Sequence, residues 1–169
     1  MTLIAQPLTS ATFVPFGDVL ELTDRDSLTI NAGMCQRHHD LAQLDFGSGR
    51  AGISLFDGKP SSFPYALDLV ERHPEGSQAF IPMNGVPLLV TVCADKNGIP
   101  DTPHAFIMRS DQAINLHRGT WHGVLAPLDR QGLFAVIDHI GTAPNLEEHR
   151  FDTPWIIVSP HLETPVRGH

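Results

Sequence analysis

The chain is 169 residues long, 41% hydrophobic and 18% charged, and its 19 acidic against 11 basic side chains give a formal charge of −8. These values suit one folded domain, residues 1–169, with a sizeable core, and they exclude a nucleic-acid surface, because no Lys/Arg run offsets the acidity. No apolar run approaches the roughly 18 residues of a membrane helix, the N-terminus lacks the features of a signal peptide, and Cys35 and Cys93 form no CxxC pair, so free thiols in a reducing cytoplasm are expected.

In chain order, "TSATFVPFGDVLEL" predicts one short helix capped by Thr9 or Ser10. Short segments of alternating or apolar character follow: "AGISLFDG" (51–58), "YALDLVERH" (65–73), "QAFIPM" (78–83), "VPLLVTVCA" (86–94) and "HAFIMR" (104–109). "INLHRG", "WHGVLAPL", "GLFAVIDHI" (132–140) and "WIIVS" complete the series. Fourteen Gly and fourteen Pro punctuate them. Many short strands with turn signals between them predict an all-β fold, and a jelly-roll barrel with a few short helices is the natural closure.

Two segments carry polar residues where apolar strands meet turns. In "LDLVERHPEG", alternation places Leu67, Leu69, Glu71 and His73 on one face. Asp68, Val70 and Arg72 are expected on the other. The inner face thus changes from apolar to ionisable as it nears the Pro74-Glu75-Gly76 turn, and Gln78 starts the return strand on the side of Phe80. In "INLHRGTWHGVL", His117 precedes a turn at Gly119 and His122 follows on the next strand.

These residues resemble the two cupin motifs. Glu71 and His73 fill the HxH positions, Gln78 falls at the Glu position and Gly85 at the Gly, while His117, Gly119 and His122 match PxGxxH. His and Glu are ordinary ligands of divalent metals and Gln is a poor one, so Glu71, His73 and His122 are the candidate set for a Ni or Zn ion. More closely, "ERHPEGSQAFIPMNG", "NLHRGTWHGVLAPL" and "INAGMCQRHHDLA" are similar to the ureidoglycolate lyase family, once called ureidoglycolate hydrolases. The resemblance implies a cupin-like homodimer that cleaves (S)-ureidoglycolate to glyoxylate and urea in allantoin breakdown.

Elimination from this carbinolamide needs a base for the hydroxyl proton and an acid for the departing urea nitrogen. His73 or Glu71 is expected as base and His122 as acid, with exchange of roles open. Gln78 is a candidate hydrogen-bonding group for the substrate. An Arg fork suits the substrate carboxylate. Arg72 should point away from the cavity, which leaves Arg118 in its turn and Arg37 on a segment over the mouth. His117, His39 and Asn31 are further rim candidates. His38, His39 and Asp40 read equally as a solvated loop or a dimer contact, and His161 and His169 as surface. Three rival readings are a metal-dependent oxygenase or isomerase, a non-catalytic sensor, and a hydrolase attacking the ureido carbonyl. Gln78 counts against the first, and the presence of Glu71, His73 and His122 against the second.

Overall fold

Strand segments with one apolar face must cover it, and here two sheets do so against each other. The computed structural model describes residues 1–23 and 27–160, so His161 and His169 lie outside the described residues. The smaller sheet is antiparallel, in the order Gly17–Leu20, Ala113–Leu116, Gln78–Pro82, Gly132–Ile140, Arg50–Gly58. The larger runs Thr2–Ile4, Glu147–Val158, Tyr65–Arg72, Trp121–His122, Leu88–Cys93, His104–Met108, Gln6–Pro7. Ala126–Pro127 also pairs with Leu88–Cys93. The expected β-rich fold and its succession of short strands are therefore present. The expected helix is the single turn Ser10–Phe13, and the Thr9 hydroxyl accepts from the Thr12 amide at 3.2 Å.

The core between the sheets joins Phe80, Phe134 and Val136 of the smaller sheet to Val90, Val92, Phe106 and Met108 of the larger, with Phe13 from the helix and Phe16 from the turn after it. A second apolar cluster lies on the other face of the larger sheet and contains Leu67, Val70, Leu89, Cys93, Trp121 and Ile157. Leu88–Cys93 is thus buried on both faces, which explains why its sequence is apolar at every position but Thr91 instead of alternating.

This second cluster corrects one expectation. Val70 does point away from Glu71, but that side is covered, and Val70 is fully buried. Leu67 joins Val70 there instead of pairing with Leu69 inside. The change of face falls where the pairing is irregular: Glu147–Val158 carries extra residues between Arg150, opposite Leu69, and Trp155, opposite Leu67.

A candidate active site of two imidazoles and a carboxylate

Tyr65–Arg72 and Trp121–His122 are antiparallel neighbours, and Glu71 stands directly opposite His122. His73 follows at the strand end. Its carbonyl accepts the Gly119 amide at 3.0 Å, which ties the two motif segments together. Gly119 turns with φ +74°, a conformation that favours glycine, so the turn before His122 depends on this residue. The result is a cluster in which Glu71, His73 and His122 each offer one donor atom, all within 4.8 Å of one another.

The hydrogen bonds settle which imidazole atoms face the cluster. His73 Nδ1 lies 2.6 Å from the Asn145 carbonyl, and His122 Nδ1 lies 3.1 Å from the Gly123 carbonyl. A carbonyl only accepts, so both Nδ1 atoms carry the proton, and in the neutral ring each Nε2 is left with a lone pair. Both Nε2 atoms are buried without a partner. Two lone pairs have no hydrogen bond to offer each other, so the pocket is built for a metal ion, a proton or a donor group of a substrate. Backbone carbonyls that fix the outer ring nitrogen are also the usual support of metal-ligating histidines.

Charge behaves accordingly. Burial, with His73 adding to it, holds His122 down to about 4, so this imidazole is neutral near pH 7. Burial raises Glu71 above the ordinary carboxylate range, His73 opposes that rise, and Glu148 adds to it. Beneath His122 lies a space of about 20 Å³ lined by Phe80, Val90, Ile114 and Leu116, an apolar floor with room for one water at most.

From the opposite sheet, Gln78 is only 4% exposed and lies directly opposite Asp138 and Leu116. Gln78 shares the inward face with Phe80, and Asp138 shares it with Val136 and Phe134. Gln78 Nε2 donates to Asp138 Oδ2 at 3.5 Å. Gln78 Oε1 and Asp138 Oδ1 are buried without partners. Asp138 was not singled out from sequence, although its even spacing from Phe134 and Val136 marks the inward face.

The remaining candidates stand apart from the triad. Arg118 is bound in a fork to Asp45, at 2.7 and 2.6 Å, and holds that carboxyl at about 2. His117 Nε2 is 3.2 Å from Asp18. Both belong to a rim groove with Gln43 and Ser77. Asn31 and Arg37 lie on an exposed hairpin formed by Ser27–Ile30 and Cys35–His38, and His39 directly follows it. The segment leaving the hairpin, through His38, Asp40 and Leu41, lines a groove with Ala79, Ile81 and Ile137, on the face of the smaller sheet opposite Gln78. The chain therefore does not itself fold Arg37 over the triad. Arg72 points outward as expected, pairing with Asp95 at 2.7 Å and Glu147 at 2.6 Å, with its guanidinium over Trp121.

The family described as ureidoglycolate lyase matches residues 1–158. The ureidoglycolate lyase of Rhodobacter capsulatus is 50% identical over 156 residues, covering 92% of this chain and 97% of that protein. The ureidoglycolate lyase of Chelativorans sp. is 46% identical, covering 94% and 97%. Ureidoglycolate lyase 2 of Rhizobium meliloti is 47% identical, covering 89% and 93%. Among solved structures, RmlC from Streptococcus suis in complex with dTDP-D-xylose overlaps 56% of this chain and 46% of its own at a TM-score of 0.43 and 13% identity.

Proposed function

This chain belongs to the ureidoglycolate lyase family, and from that premise we propose that Glu71, His73 and His122 eliminate urea from (S)-ureidoglycolate to give glyoxylate, within one domain and as a step of allantoin breakdown in the cytoplasm. The enzyme is a carbon–nitrogen lyase. The observation that carries the residue assignment is the pair of buried, partnerless Nε2 lone pairs beside a carboxylate raised by burial. A lone-pair Nε2 accepts the substrate hydroxyl proton. The C–N bond then breaks as the glyoxylate carbonyl forms, and protonated Glu71 delivers a proton to the urea nitrogen. Proton transfer from imidazolium back to Glu71 restores the starting state. These roles exchange the acid expected from sequence: His122 spends its one N–H on the Gly123 carbonyl and presents a lone pair, whereas Glu71 is the group biased toward holding a proton.

The donor set also fits a divalent cation. Glu71, His73 and His122 would hold Ni²⁺ or Zn²⁺, with Gln78 outside the ligand set. When bound, such an ion supplies Lewis acidity that lowers the pKa of a coordinated hydroxyl. Product analysis on (S)-ureidoglycolate before and after exhaustive chelation tests both points. Glyoxylate and urea are expected in equal amounts from the untreated enzyme. Ammonia and CO₂ in place of urea would overturn the lyase chemistry in favour of hydrolysis. Activity lost on chelation and restored by Ni²⁺ or Zn²⁺ assigns the triad to a metal, and full activity after chelation leaves the side chains sufficient.

The active species is proposed to be a homodimer. Arg50–Gly58 is a nine-residue edge strand, paired on one side only among the described residues. Its outward Ile53 and Leu55 are 76% and 63% exposed. An unpaired apolar edge is a template for another strand. Antiparallel pairing of two copies about Ser54 would place Ile53 of one opposite Leu55 of the other, the self-complementary arrangement of a two-fold interface. Wild-type protein is expected to sediment as a dimer and Ile53→Lys as a folded monomer. A dimeric Ile53→Lys variant would place the interface elsewhere.

A further inference from the structure

We infer that Asp138, together with Gln78, is the subsite that binds the ureido group and selects for it. The inference deepens the lyase reading and rests on it. The facing inner sides of the two sheets are chemically different, and Phe80, two residues from Gln78, brings its ring to 6.5 Å from that of His122. The larger sheet contributes Glu71, His73 and His122, the groups suited to the hydroxyl and to proton transfer. The smaller sheet contributes Asp138 and Gln78, which leave two oxygen acceptors, Oδ1 and Oε1, buried with no hydrogen bond.

The orientation of the Gln78 amide follows from its neighbour. Its nitrogen donates to Asp138 Oδ2, and the flipped amide would set oxygen against oxygen. The free Gln78 atom is therefore an acceptor, and so is the free Asp138 oxygen. Bare buried acceptors are costly in a folded protein, and such exceptions ask for an explanation. They need N–H or O–H donors. The ureido group, –NH–CO–NH₂, offers three N–H donors, one on the nitrogen that leaves and two on the terminal amide. Asp138 Oδ1 and Gln78 Oε1 accept from these hydrogens. The hydroxyl-bearing carbon is thereby turned toward the triad, and the departing urea stays held as the C–N bond breaks. A plain 2-hydroxy acid would leave both oxygens unsatisfied, and this is the source of selectivity.

The experiment uses two inhibitors of ureidoglycolate turnover. Ureidoacetate keeps the ureido group and carboxylate but has no hydroxyl to drive elimination. Glycolate keeps the hydroxyl and carboxylate but has no ureido group. In Asp138→Asn, the inhibition constant of ureidoacetate should rise about tenfold or more, the scale of a hydrogen bond to a charged group, while that of glycolate changes by less than about twofold. Gln78→Met, which removes the second acceptor at similar size, should shift selectivity in the same direction. An unchanged ureidoacetate constant in both variants overturns the inference, and so does an equal weakening of both inhibitors, which would report a merely structural role. Wild-type protein that releases no glyoxylate and urea overturns the lyase reading itself, and this is seen before any variant is compared.

Discussion

Glu71→Gln should lower kcat by about 10²–10⁴-fold, the range for loss of a positioned acid or base, while the protein folds normally. The substitution keeps the size of the side chain and removes both its exchangeable proton and its negative charge. Two features make Glu71 costly to the fold as it stands. It is drawn out of water by burial, and it stands directly opposite Glu148 on the neighbouring strand. Like charges facing across a sheet destabilise it. A neutral Gln relieves both, so the thermal midpoint should hold or rise as activity falls, the trade expected where a group is kept for function. Steady-state kinetics and thermal unfolding of the same preparation check the two halves. Near-normal turnover would remove Glu71 from the chemistry. Unchanged turnover with a lower midpoint would make it structural. Metal content of the variant separates the roles further: loss of bound Ni²⁺ or Zn²⁺ along with activity points to ligation, and loss of activity with the metal retained points to proton delivery.

The sequence carried the strands and the triad because both depend on local spacing. Glu71 and His73 sit two apart at the end of an alternating segment, and His122 sits three residues past the Gly119 turn. Each position is set by a few residues of its own chain, and pairing of the two strands then brings Glu71 opposite His122. The partners of the long polar side chains were not legible in this way. Arg118 was free, in sequence, to reach inward, but Asp45, 73 positions away, holds it at the rim. Arg37 was expected over the mouth, but its hairpin and the segment leaving it follow the opposite face of the smaller sheet. Val70 obeyed alternation, yet alternation does not say that both faces of a sheet are covered. Asp138 was within reach of the same parity argument that found Glu71. A single carboxylate in "GLFAVIDHI", however, becomes informative only with Gln78 lying opposite.

The buried His122 should also leave a signature in stability. Its folded pKa of about 4 lies below the 6.5 of an ordinary histidine, because burial and His73 disfavour its charged form. Between these values the unfolded chain binds a proton that the folded chain refuses, so unfolding is favoured as pH falls. Above about 6.5 both states are neutral and the effect vanishes, and below about 4 it reaches its full size. The difference of roughly 2.5 units corresponds to about 3 kcal/mol. Glu71 works in the opposite sense. Its folded pKa is raised, so acidification through that range favours the folded state and offsets part of the loss. His122→Asn keeps a donor for the Gly123 carbonyl and deletes the titrating ring. Chemical denaturation of chelated wild type from pH 7.5 to 4 should show a decline that is markedly shallower in His122→Asn. Identical slopes would mean that the ring titrates alike in the folded and unfolded chains, so that burial and His73 do not hold it neutral as pH falls. The stability profile therefore tests the neutral state assigned to His122 without any substrate present.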